Sequence, residues 1–269
     1  MIRKRHFAPL ALGLLATVAQ ATDVNAYADV LKAHVNDAGR VNYAALSKDP
    51  APLNRYLDSL KNADPKAFAA QSEPQRLATW INAYNAFTLK SIIDHYPLTK
   101  LPQQAKDAPR NSIRQIPGVW KKRTHSVLGR SLTLDQIEHE VIRKEFKEPR
   151  IHMALVCASI GCPLLRNEPY AASKLEDQLA DQTRKFLRES HAFKVDERKK
   201  TLYVSALFDW FKDDFTWSHK GKGPRRIKEP MRSVVAFVDT YTAPVHDDFL
   251  QSGKFTIKHT AYDWALNEQ

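Results

Sequence analysis

Ser72-Glu73-Pro74-Gln75-Arg76-Leu77-Ala78-Thr79-Trp80-Ile81-Asn82-Ala83-Tyr84-Asn85-Ala86-Phe87-Thr88-Leu89-Lys90-Ser91-Ile92-Ile93-Asp94-His95 is the stretch on which the fold turns. Ser72 reads as an N-cap with Gln75 as its capping-box partner, and Pro74 suits a first turn. The helix they open ends before Pro97. At 100° per residue Trp80, Tyr84 and Phe87 cover one side, and Leu77, Ile81 and Ile92 cover the next. Asn82 and Asn85 share the remaining side with Ala78 and Leu89. A helix apolar nearly all round is buried, so two asparagines there need partners inside the protein. They either bond loop backbone and fix the core, or one orients a catalytic imidazole as in a Cys-His-Asn site.

Outward from this helix, apolar faces recur at helical spacing. Tyr27, Val30, Leu31 and His34 form one; Leu53, Tyr56, Leu57 and Leu60 form another; a third runs from Met231 to Tyr241. Thr133 with Gln136, and Ser173 with Glu176, repeat the start signal, the second opening a helix with Leu175, Leu179 and Phe186 inward. Strand patterns are short. Ser126 to Thr133 turns at Leu128-Gly129, and Ala192 to Val195 faces Thr201 to Val204 across the charged turn 196–200. A last strand is expected at Lys254 to Ile257. Helices alternating with hairpins predict an α+β fold, a helix-rich single domain over 22–269 with a small antiparallel sheet built from hairpins.

Residues 1–21 read as an address. Arg3, Lys4 and Arg5 precede the apolar stretch Phe7 to Val18, and Ala19-Gln20-Ala21 supplies small residues for cleavage. The same residues kept uncleaved would be an anchor. Cleavage predicts export, to the periplasm in a Gram-negative cell and to the medium otherwise. It lowers the net charge from +11 to +8. That surplus suits an anionic envelope component rather than nucleic acid, and no later run is apolar enough to span a membrane. Only 8 glycines occur, none in a phosphate-cradling motif, so no nucleotide or other cofactor is expected.

Arg150-Ile151-His152-Met153-Ala154-Leu155-Val156-Cys157-Ala158-Ser159-Ile160-Gly161-Cys162-Pro163 carries the candidate chemistry. An apolar run delivers Cys157 and then breaks at Gly161 and Pro163. Three readings stand: a disulfide between Cys157 and Cys162, a reactive Cys157 thiolate, or two inert thiols. His139 and His152 are alternative general bases for a reactive Cys157, with Asn82 or Asn85 orienting the base and Glu138 beside His139. Trp80, Tyr84, Arg150 and Asp209 are candidate substrate contacts. His139-Glu140-Val141-Ile142-Arg143 has arginine where a zincin needs its second histidine, so no metal site is expected. Zinc held by His139, His152 and Cys157 would need ligands from separate segments. Ser205 to Phe215 reads as a core-forming aromatic helix face with its acids on the outer side, and Ser218 to Arg232 as a solvated basic loop.

Trp80 to Ala86, Leu134 to His139, Arg150 to Pro163, Leu164 to Tyr170, Ser205 to Phe215 and the closing Tyr262 to Asn267 occur in that order. Together they resemble the family named domain of unknown function 547, from about Tyr43 onward. The resemblance implies no activity. Residue chemistry alone offers two readings: a thiol-dependent hydrolase or acyl-transferase of Cys-His-Asn type, or a non-catalytic exported binding module braced by Cys157–Cys162.

Overall fold

A computed structural model describes residues 22–269; the expected export address lies outside the described residues. The helix Glu73–Ile93 is the spine. Its start is fixed as the sequence predicts, with the Ser72 N–H donating to Gln75 Oε1 at 2.9 Å and Pro74 in the first turn. Apolar side chains from all around it are buried, and so are Asn82 and Asn85. Against it packs Ala51–Asn62, which in turn carries Val24–His34 through stacked Tyr27 and Tyr56 rings 4.8 Å apart.

The first hairpin pairs β1 (Thr124–Val127) with β2 (Arg130–Thr133). Leu128 and Gly129 both have positive φ, the geometry of a two-residue turn that follows strand twist. A Cβ at Gly129 would meet Pro65 Cγ at 2.6 Å, so the turn also needs the missing side chain. Thr133 then caps the next helix reciprocally with Gln136, at 3.0 and 3.2 Å. That helix, Leu134 to Glu145, widens to a π turn over Ile137–Ile142, where the Arg143 N–H reaches back five residues to the Glu138 carbonyl.

The other sheet has three strands. β3 (Phe193–Asp196) and β4 (Thr201–Val204) form the second expected hairpin. β5 (Thr256–His259) starts two residues later than expected and runs parallel to β4, so the sheet is not wholly antiparallel. Between them the chain crosses the domain through Met231–Tyr241 and Asp247–Ser252, and it re-enters in the same direction. A second correction concerns Ser173. The helix Leu175–Arg188 follows the 3-10 turn Ala172–Lys174, so Ser173 lies inside that turn, Lys174 takes the N-cap position and no side-chain cap forms.

Two apolar clusters result. One surrounds the spine; the other joins Phe186, Phe208, Phe215 and Phe237 under the three-stranded sheet. Tyr262 packs against both.

Candidate functional site

A cleft of about 280 Å³ opens between the two clusters. The spine supplies Tyr84, the π turn supplies Glu138 and His139, and the short helix Ile151–Ala154 supplies His152. Cys157 and Cys162 come from the loop beyond it. Trp120, Trp210, Phe211, Tyr262 and Trp264 complete the walls. The sequence therefore named six members of one cleft, Tyr84, Glu138, His139, His152, Cys157 and Cys162, although six separate stretches of chain bear its walls.

Asp214 organises the polar side. It accepts from Arg143 Nε and Nη2 at 2.6 and 2.7 Å and from His152 Nε2 at 2.8 Å. Burial pushes the Asp214 carboxyl up, but the bonds from His152 and Arg143 outweigh it and hold the pKa below the usual carboxylate range. Burial likewise lowers the His152 pKa, with Asp214 opposing, so the ring is favoured neutral with its proton on Nε2. Phe211 stacks on that ring at 3.9 Å. The free Nη1 of Arg143 meets His139 Nδ1 at 3.0 Å. A guanidinium only donates, so Nδ1 is the acceptor and the His139 proton sits on Nε2, 3.7 Å from Asp135 Oδ1. Glu138 accepts from Tyr84 Oη at 3.1 Å, and burial followed by the Glu138 charge holds the Tyr84 phenol well above its usual pKa.

The sulfurs form the opposite wall. Cys157 and Cys162 are joined in a disulfide with Cα atoms 6.3 Å apart. Tyr262 Oη lies 2.9 Å from each sulfur and 3.1 Å from Ser159 Oγ, and the Cys157 N–H points at Cys162 Sγ. Burial pushes the Tyr262 phenol pKa up, so the hydroxyl remains a proton donor. Gly161 allows this contact: a Cβ there would stand 2.9 Å from the Asp263 nitrogen and 3.1 Å from the Tyr262 ring.

The Cys-His-Asn arrangement is not assembled. Asn85 Nδ2 donates to the Ala154 carbonyl at 3.0 Å and its Oδ1 accepts from the Val156 N–H at 2.9 Å. Asn82 pairs in the same way with both backbone groups of Tyr170, at 2.8 and 2.9 Å. Each asparagine acts as a surrogate peptide for a passing chain, and neither reaches an imidazole. Cys157 has no free thiol because its sulfur is bonded to Cys162. Trp80 is buried edge-on to Phe68, away from the cleft. Arg150 is held by Glu148 and Glu176, and Asp209 by Lys212. Among the described residues no three His, Cys, Asp or Glu side chains are grouped to hold a metal ion. His152 is committed to Asp214 and Cys157 to Cys162, which leaves the three-ligand zinc arrangement incomplete.

Sequence reading missed Asp214, Tyr262 and the role of Arg143. Asp214 was expected on the outer side of an aromatic helix. Instead that helix stops at Trp210 and the chain turns, so Asp214 is 3% exposed. The arginine that spoils a zincin motif was the available signal for a buried carboxylate partner.

Residues 68–187 match the profile of the family described as protein of unknown function, DUF547, and over that segment the chain is similar to this family. The matched segment holds Tyr84, Glu138, His139, His152 and both cysteines, and it ends before Asp214, Trp210 and Tyr262. No curated protein and no solved structure matches the chain.

Proposed function

We propose that the chain is an exported protein of the cell envelope whose single domain, residues 22–269, binds a small ligand in the disulfide-walled cleft. The observation that carries this reading is the bond between Cys157 and Cys162, which takes up both cysteine sulfurs of the cleft. What remains is a concave site with apolar and aromatic walls and a few fixed polar groups, the usual composition of a ligand pocket. Tyr84 and Glu138, with the Nε2–H of His139, provide the orienting hydrogen bonds. The basic residues Arg3, Lys4 and Arg5 ahead of the apolar run Phe7 to Val18, with Ala19 and Ala21 after it, support the export reading.

Iodoacetamide and mass measurement test the assignment. Protein purified from its native compartment should take no label without reductant and two labels after reduction in denaturant. An adduct on Cys157 without reductant restores the thiol-dependent hydrolase or acyl-transferase and removes the binding reading.

A further inference from the structure

A second concavity, of about 510 Å³, lies where the C-terminal ends of Leu175–Arg188 and Met231–Tyr241 meet β3. It stands apart from the disulfide-walled cleft and shares no residue with it. Its charged lining is of one sign, Arg184, Arg188 and Lys194 with no carboxylate, and His246 stands beside them. Several cations elsewhere in the fold are matched. Arg143, Arg150 and Arg166 each hold a carboxylate, and Lys185, next in sequence to Arg184, takes Asp181. Among the described residues Arg184, Arg188 and Lys194 enter no ion pair. Arg184 stands over the Tyr241 ring instead, 5.8 Å from its centroid.

Helix ends attract basic side chains, and that accounts for part of the pattern. Each C-terminus contributes roughly half a negative charge at most, so two ends supply about one. Three permanent cations exceed it. Lys194 lies on a strand and His246 on a 3-10 turn, where no helix of eight residues or more ends. The floor beneath the cations is apolar, formed by Leu187, Phe193 and Val195, with His246 edge-on to Phe193 at 5.1 Å.

The geometry points to a binding site for an anionic amphiphile: an oxyanion head group such as a phosphate, gripped by Arg184, Arg188 and Lys194, on an apolar stem laid over Leu187, Phe193 and Val195. Guanidinium groups suit such a head because their paired N–H donors match two oxygens at once. Phosphate esters of lipids and free inorganic phosphate share the head-group chemistry, and the apolar floor selects the former.

Calorimetric titration of the purified protein with dodecyl phosphate, below its micelle concentration, tests this. Dodecyl phosphate should bind, inorganic phosphate should bind at least roughly tenfold more weakly, and dodecyltrimethylammonium should not bind. The double change Arg184→Gln with Arg188→Gln should weaken dodecyl phosphate by roughly tenfold or more, the scale of a lost charge-assisted bond. Because both arginines lie near a helix end, Lys194→Gln serves as the variant that leaves the helix intact, and it should weaken binding in the same direction. Equal affinity for the cationic amphiphile, unchanged affinity in Lys194→Gln, or inorganic phosphate binding as tightly as the amphiphile each overturns the proposal. So does undiminished binding of the double variant to phosphatidylglycerol vesicles, which would put the attraction elsewhere on the surface.

Discussion

Asp214 has three hydrogen bonds to two basic side chains and almost no exposure to water. Asp214→Asn would leave Arg143 and His152 facing a neutral group in a site built for a charge. Removing one partner of a buried pair costs about 3–5 kcal/mol, and the lower end applies because Arg143 still reaches solvent. Urea unfolding should therefore show a loss of about 3 kcal/mol, together with displacement of the His152 Nε2–H resonance. His125 sets a different dependence. It is stacked on Phe87 at 4.4 Å, its Nε2 has no partner, and burial with the Arg123 charge lowers its pKa to about 4. The unfolded chain binds this proton near pH 6.5 and the folded one only near 4, so acid favours unfolding. The contribution of His125 is fully present above pH 6.5 and is lost as pH falls toward 4. His125→Phe should flatten the fall in Tm over that window, leaving the shares of His34, His152, His191 and His219, all of which are also lowered.

At the scale of elements, the spine holds its neighbours by two asparagine clamps rather than by apolar contact alone. Asn85→Ala gains about 0.5 kcal/mol of helix propensity. It leaves the Ala154 carbonyl and the Val156 N–H buried without partners, a cost of about 2–4 kcal/mol. The net should be a loss of about 2 kcal/mol in urea unfolding, larger than for an exposed spine position such as Glu73→Ala. These elements show what can be read from a sequence. Ser72 with Gln75, Thr133 with Gln136, the Leu128-Gly129 turn and the helix Met231–Tyr241 are specified by residues within a few positions of one another, and the structure places them as expected. Ser173 with Glu176 has the same local pattern and fails because a 3-10 turn precedes the helix and puts Lys174 at the N-cap position. The parallel pairing of β5, the burial of Asp214 and the π turn depend on where remote chain returns, and no local spacing encodes that. The same reasoning separates the asparagines. Their burial was legible from the helix face, whereas their backbone partners 69 to 88 residues away were not.

For the whole molecule, the closing segment is a seam. Ile160, Gly161 and Asn267 N–H groups bond across to Ala265, Asp263 and Ala158 carbonyls, while Val41 bonds to Asn267 and accepts from Gln269. One short strip thus joins the N-terminal turn, the cysteine loop and the cleft wall. The disulfide closes a loop of only six residues, so its removal by Cys157→Ser with Cys162→Ser should lower stability by about 2 kcal/mol, seen in urea. Tyr262→Ala uncovers both sulfurs and should speed their reduction by dithiothreitol relative to the parent protein.

Tyr262 stands 100 residues beyond Cys162 in the chain. Synthesis runs from the N-terminus, so both cysteines emerge well before the phenol that covers them. The pair is therefore open to oxidants, or to a foreign thiol, for the whole interval in which those residues are made. Arrival of the last turn of chain ends that interval. The bond closes within one short loop, and its cover is supplied from the far end of the chain.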